Sequence, residues 1–399
     1  MPLTLLLDLD DTLLDSNFES FIPAYFQALS KHMAERVSPE VMLPALISGT
    51  HFMNQSDDPT RTLREVFEAD FYPRLGVPKE ELVNTIEQFY DEIFPTLGNL
   101  TRPRPDAKPF VDWAFAQGFR IAIATDPLFP RKATYQRLSW AGFDPGQFEV
   151  VSTFEDFHFS KTHPAYFAEV LGRMGWPEGP ILMVGDNFDR DIAPARKLGL
   201  ATYHLNGNSA FGPGIEAEGR GNLADLRSWL ESSDLSRFEP VFNTPDANLA
   251  ILSATPASLA GLSQPLTESE WLYAPAPDDW AVTEIVCHLR DAEREIHHMQ
   301  IKLFEGQAEP FIPRPDAGVW ARQRKYRSEN GLFALRGFAA ARLETLALLR
   351  GIQANDWSRR ARHAIFGPTN FLEVVGFMVE HDRLHIQQTW KALQVLQLG

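Results

Sequence analysis

Asp8 and Asp10 stand two residues apart at the end of the apolar run Leu3-Thr4-Leu5-Leu6-Leu7. On an extended chain, residues at i and i+2 share one face. Two carboxylates held at ~4 Å in an effective dielectric of about 20 would repel by about 4 kcal/mol, and a bound cation is the simplest relief. A second apolar run, Ile181 to Val184, ends in Gly185-Asp186-Asn187-Phe188-Asp189-Arg190-Asp191. Two strand ends thus aim carboxylates at one place. Thr125 follows a third run, Ile121 to Ala124, and Lys161 follows the strand signal around Val150. Each residue also has a plainer reading. A Thr or Lys after a strand is ordinary loop chemistry, Asp186 could cap a helix starting at Phe188, and Asp191 would be favoured by that helix's dipole. Asp11, Asp15 and Asp189 read as solvated or capping carboxylates.

The elements that must position these groups alternate. After the first strand, residues 16 to 100 read as a helical insertion. Phe18, Phe21, Ile22, Tyr25, Phe26 and Leu29 recur at helical spacing. Pro23 fits if that helix begins near Ser20. Ser38-Pro39 reads as an N-cap with Pro at N1, and further helices are expected over Thr62 to Phe71 and Lys79 to Phe94. The segment Thr101 to Pro105 closes the insertion. Helices near Asp106 to Gln117, Pro130 to Ala141, Pro164 to Met174 and Ile192 to Leu198 then alternate with strands at Phe119 to Ala124, Phe148 to Ser152, Ile181 to Val184 and Ala201 to Leu205. Continuous apolar strands alternating with helices predict a parallel sheet covered on both faces, with ligands at the carboxyl ends of its strands.

Residues 206 to 222 are Gly-rich, a last helix ends near Leu230, and a polar linker follows. Beyond it only helical signals are read, near Leu249 to Leu262, Ala281 to Glu305, Gly331 to Arg350 and Thr369 to Leu396. They predict a four-helix bundle. The Pro-rich stretch Gly306 to Gly318 reads as a stiff loop. On the last helix, His381 and His385 lie at i and i+4, on one face. That spacing suits a metal and equally suits ordinary packing. The boundaries expected are 1–232, a linker over 233–248, and 249–399.

The chain has 399 residues, 44% hydrophobic and 23% charged, with a net charge of −16. At roughly 150 residues per domain this is more than one domain. The negative charge disfavours nucleic acid, whose phosphates reward a basic surface. The one cysteine, Cys287, excludes an intrachain disulfide and multi-cysteine zinc sites; it reads as a small buried residue. No apolar run approaches the ~20 residues of a membrane span, and Asp8 interrupts the N-terminal run without a basic leader, so neither a signal peptide nor a membrane association is expected. The expected compartment is the cytoplasm.

With Asp8-x-Asp10-x-Thr12, Thr125, Lys161 and Asp186 with Asp191 all at strand ends, residues 1 to about 230 resemble the haloacid dehalogenase (HAD) superfamily, with a helical cap at about 16–100. The resemblance implies a Rossmann-like core. It implies an Asp8 nucleophile forming an aspartyl phosphate, Asp10 as acid and base, and Thr125 and Lys161 on the phosphoryl oxygens. Asp8, the Asp10 carbonyl, Asp186 and Asp191 would hold Mg²⁺. An acidic Asp10 favours phosphoryl transfer over dehalogenation or phosphonate cleavage. Asp126 departs from the pattern, since relatives commonly carry Asn or Ser there.

Residues 246 to 399 resemble the DinB-like metal-binding bundle through Pro277 to Glu284, His288-Leu289-Arg290-Asp291, Phe366-Gly367 and Glu380 to Gln388. That resemblance implies that His288 joins His381 and His385 in a site for a second divalent metal, Zn²⁺ or Ni²⁺, with an open position. His297, His298 and His363 fall outside the matched positions and read as surface or partly packed, and Arg359-Arg360-Arg362 as a solvated run. The function expected is a Mg²⁺-dependent phosphohydrolase acting on a small phosphorylated metabolite. A sugar phosphomutase, a metal-dependent thiol transferase in the bundle, and a sensing or scaffold fusion are the alternatives. An oligomer formed through the bundle is compatible with this reading.

Overall fold

The structure, a computed structural model, describes residues 1–206 and 217–398. The Gly-rich stretch at 206 to 222 therefore lies largely outside the described residues. The chain divides into two compact units, Met1–Tyr166 with Glu178–Pro240, and Phe167–Pro177 with Val241–Gly399.

The first unit is built on a six-stranded sheet whose order is Val150–Val151, Arg120–Ile123, Thr4–Leu7, Ile181–Gly185, Ala201–Leu205, Gly219–Gly221. All neighbours are parallel. The parallel arrangement follows from the run composition: Thr4–Leu7 and Ile181–Gly185 are buried at every position, as strands covered on both faces must be. Leu7 pairs with both Ile123 and Val184. The chain therefore leaves three adjacent strands at one level, at Asp8, Ala124 and just beyond Gly185.

The insertion departs and returns through a two-stranded antiparallel ladder, Leu14–Asp15 with Arg102–Pro103. It holds the helices Phe18–Met33, Pro39–Gln55, Leu63–Leu75 and Lys79–Gln88. Thr62 and Glu65 cap the third reciprocally. The first helix begins at Phe18 rather than Ser20, because Asn17 turns the chain with φ 45°. Pro23 thus sits beyond the first turn, where it removes a helical hydrogen bond. The segment expected as one helix to Phe94 instead changes at Phe89 into a π turn, Phe89–Ile93, and a 3₁₀ stretch, Phe94–Leu100. An aromatic core compensates, in which Phe94 stacks on Trp140 at 5.3 Å and meets Phe21 edge-on at 6.1 Å.

The second unit contains Pro245–Ser263, Val282–Ala292 running through a π turn at Glu293–His297 into His298–Gly306, then Gly331–Arg350 and Phe371–Leu398. Not all of it is helical, contrary to expectation. Phe311–Ile312, Arg360–His363 and Gly367–Asn370 form a small three-stranded sheet, so the Pro-rich stretch carries a strand and the arginine run lies on one. Arg360 and Arg362 are exposed, whereas Arg359 is partly buried and its guanidinium donates to the carbonyls of Phe304 and Gln307. At the centre, fully buried Arg342 bridges Glu293, with both contacts at 2.8 Å, and Asp382, at 2.5 Å. Among the described residues, no helix is long and apolar enough to cross a membrane.

Candidate functional site

Asp8 begins the loop after Thr4–Leu7, and its backbone N–H donates to the Val184 carbonyl at 2.9 Å. The Lys161 ammonium, 1% exposed, lies 2.6 Å from Asp8 Oδ1 and also pairs with Asp191. One ligand atom each from Asp8, Asp186 and Asp191 lie within 4.8 Å of one another. Gly185 permits this closeness, since a Cβ there would fall 2.2 Å from Asp191 Oδ2. Asp191 sits in a π turn, Phe188–Ile192, and accepts the Asn187 backbone N–H at 2.9 Å. The cap of that turn is Asn187, which accepts from Asp189 and Arg190, so Asp186 is left to face the cluster.

The electrostatics follow from burial and crowding. Burial by itself would lower the Lys161 ammonium, but the charges of Asp191 and Asp8 outweigh it and hold the group above its usual range. Burial, reinforced by the Asp8, Asp191 and Asp11 charges, pushes Asp186 up to about 8. Burial raises Asp191 to about 6 against the opposing pull of Lys161. One buried lysine among these carboxylates leaves an excess of negative charge, which suits a hard divalent cation with oxygen ligands.

Thr125 follows Arg120–Ile123, the strand paired with Thr4–Leu7, and is anchored through its backbone. Its carbonyl accepts from Ser152 Oγ at 2.6 Å and Tyr166 Oη at 2.7 Å. Its hydroxyl is buried, and among the described residues it has no hydrogen-bond partner. An unpaired buried hydroxyl is costly unless a ligand completes it, which fits a bound oxyanion.

Two arginines were not legible as site residues. Arg137, 2% exposed on the helix Arg131–Trp140, forms an ion pair with Asp10, while Ser16 Oγ donates to Asp10 at 2.5 Å. Arg190 pairs with Asp126, which also accepts the Lys161 backbone N–H at 3.2 Å. The unusual Asp126 therefore arrives with its own counter-ion. A helical position offers no strand-end signal, so spacing could not have singled out Arg137. Asp11 accepts the Ser16 backbone N–H.

The second unit gathers the three predicted histidines. His288, His381 and His385 each offer a nitrogen, all within 4.8 Å of one another. The Nε2 atoms of His288 and His381 are 2.9 Å apart. His385 is oriented by Gln388 through Nδ1, at 3.0 Å, and its ring stacks on Trp280. Burial, then the neighbouring His385 and His297 rings, pushes His288 down to about 3; burial and those same two rings hold His381 well below its ordinary value, and burial lowers His385. Neutral imidazoles with available lone pairs suit a borderline-soft ion. His297 and His363 are buried rather than superficial. His297 Nδ1 lies 2.9 Å from Glu293, and His298 contacts the Ala341 carbonyl at 3.1 Å. Cys287 is buried.

Residues 3–199 match the haloacid dehalogenase-like hydrolase family, and residues 251–389 match the DinB superfamily. A glyceraldehyde 3-phosphate phosphatase of Methanocaldococcus jannaschii is 30% identical over 135 residues, which is 32% of this chain and 58% of that protein. The chain thus spans less than two thirds of that relative's length. The pyrophosphatase PpaX of Bacillus cereus is 26% identical over 204 residues, 50% of this chain and 81% of the relative. YfiT from Bacillus subtilis, described as a probable metal-dependent hydrolase with an unusual four-helix bundle topology, aligns with 38% of this chain and 87% of its own at 20% identity and a TM-score of 0.36. The chain thus joins a segment that matches the haloacid dehalogenase-like hydrolase family model to one that matches the DinB superfamily model.

Proposed function

We propose that the first unit is a Mg²⁺-dependent phosphomonoester hydrolase working through an aspartyl phosphate on Asp8. The observation that carries this reading is the convergence of Asp8, Asp186 and Asp191 around the buried Lys161 ammonium. Asp8, the Asp10 carbonyl, Asp186 and Asp191 would hold the cation. When bound, it offsets the negative charge shared by the carboxylates and the phosphoryl group.

Within this scheme an Asp8 carboxylate oxygen attacks phosphorus, and the ester oxygen leaves with a proton from Asp10. The Asp10 carboxylate then takes a proton from water, whose oxygen attacks the aspartyl phosphate. Inorganic phosphate departs and Asp8 is restored. Lys161 and the Thr125 hydroxyl bind phosphoryl oxygens throughout, positive charge and a hydroxyl donor being what that group needs. Arg137 and Ser16 hold Asp10 in place.

In the second unit, His288, His381 and His385 would hold a second divalent ion, Zn²⁺ or Ni²⁺. The test for the first unit is phosphate release from a panel of phosphomonoesters by the full chain with Mg²⁺. Release that needs Mg²⁺ supports the reading, and no release from any ester removes it.

A further inference from the structure

A cavity of about 480 Å³ opens from the acidic cluster into the helical insertion. It lies within the size range of small-molecule sites, about 300–1,000 Å³. Outside the insertion its polar lining gathers at the acidic cluster, with Asp8, Asp10, Lys161 and Asp186 joined by Arg137 and Arg190 among others. The insertion contributes fifteen further lining residues, of which Glu68 carries the single charge and Thr50 the single aliphatic hydroxyl. The rest are aliphatic, thioether or aromatic, with Ile22, Leu46, Met53, Phe67 and Phe71 among them.

The polar groups of Tyr25, Tyr90, Thr50 and Glu68 on that wall are already engaged. The hydroxyls of Tyr25 and Tyr90 bond each other at 2.8 Å, and the Thr50 hydroxyl donates to the Leu46 carbonyl at 2.9 Å. Glu68 accepts from Arg64 at 2.9 Å and Lys79 at 2.5 Å. The Lys79 ammonium also lies over the Tyr72 ring at 5.7 Å. A sugar or polyol entering here would give up its hydrogen bonds to water and find few replacements, at a cost for each unpaired hydroxyl. A hydrocarbon would instead be favoured in proportion to the area removed from water. Gly49 keeps the space open on one side: a Cβ there would come 2.6 Å from the Phe67 ring and push it from its seat.

We propose that the leaving alcohol is apolar, so that the substrate is a phosphomonoester of a hydrocarbon alcohol rather than of a sugar, triose or polyol. This rests on the reading above that the acidic cluster is the phosphoryl end of the site.

The experiment measures kcat/KM of the full chain with Mg²⁺ for ethyl, butyl and hexyl phosphate beside glycerol phosphate, glyceraldehyde 3-phosphate and glucose 6-phosphate. Each buried methylene should raise kcat/KM by roughly fourfold until the cavity is filled, and hexyl phosphate should exceed glycerol phosphate by at least tenfold. Equal or better turnover of the polar esters overturns the apolar assignment while leaving the phosphatase reading intact. If no ester is hydrolysed, that reading fails, and calorimetric binding of hexylphosphonate and methylphosphonate to the same protein decides the cavity separately. Tenfold tighter hexylphosphonate binding supports the apolar site, and equal affinity overturns it. Leu46→Gln and Ile22→Asn should each lower the hexyl-to-glycerol ratio several-fold. A ratio unmoved in a folded variant, judged by its circular dichroism, contradicts the proposal.

Discussion

The Arg137 guanidinium, 2% exposed, pairs with the Asp10 carboxylate, and both residues line the cavity that holds the acidic cluster. Both groups are shielded from water, so removing one leaves the other's buried charge without its counter-ion, although Asp10 keeps its bond from Ser16 Oγ. Breaking such a buried pair costs about 3–5 kcal/mol. Arg137→Met should therefore lower the urea midpoint markedly. Arg137→Met with Asp10→Asn should be less destabilised than the two single effects added together, by at least about 1 kcal/mol. Strict additivity would show that the two groups are not coupled.

Asp186 gives a pH dependence with a definite sign. Its folded value of about 8 lies above its ordinary 3.8, so between those values the folded protein binds more protons than the unfolded chain. Stability of the metal-free protein is then lost as pH rises through that window. The melting temperature should fall between about pH 4 and about pH 8, and Asp186→Asn should flatten the slope. Mg²⁺ must displace the same proton, so its affinity should rise about tenfold per pH unit below about 8, with measurable proton release in calorimetry. An affinity independent of pH would contradict the cluster's electrostatics.

How legible was this arrangement in the chain itself? Apolar runs ending in Asp8, Thr125 and Asp186 place those residues at strand ends, because a buried parallel strand must be apolar throughout and its polar continuation must emerge at the carboxyl edge. The bundle helices over Gly331 to Arg350 and Phe371 to Leu398 follow from the same kind of periodicity. Arg137 escaped because its pairing with Asp10 is a tertiary event across 127 positions of sequence, with no local pattern to mark it. The π turns at Phe188–Ile192 and Glu293–His297 escaped for a different reason. They insert one residue per turn where a buried Asp191 or Glu293 gains partners, and helical periodicity reads straight through them. Arg360–His363 carries little strand signal because its alternation, exposed Arg360 and Arg362 against buried Ala361 and His363, spans only four residues and holds no β-branched residue.

In the bundle, Arg342 is the shared counter-charge of Glu293 and Asp382, and all three are fully buried. Arg342→Met should cost about 3–5 kcal/mol by taking the shared guanidinium from two buried carboxylates. Adding Glu293→Gln and Asp382→Asn should recover part of that loss in thermal melts. Recovery of none would mean that shape, not charge, holds the centre.

The three-histidine site makes a claim that elemental analysis can check. Purified protein should carry close to one transition metal per chain, and His288→Ala, His381→Ala and His385→Ala should each remove it. Mg²⁺-dependent phosphate release should persist in these variants, since imidazole nitrogens and clustered carboxylates select different ions. Equal metal content in wild type and all three variants would make these histidines packing residues.

The central claim is that Asp8 is the nucleophile, and it is tested most directly by the rate of phosphate release from the best phosphomonoester, with Mg²⁺, for wild type and Asp8→Asn. An amide cannot attack phosphorus, and the substitution also removes a carboxylate from the cation site and from Lys161, at 2.6 Å. The account predicts a folded variant whose turnover falls by at least about 10³-fold. Turnover near the wild-type rate would contradict it.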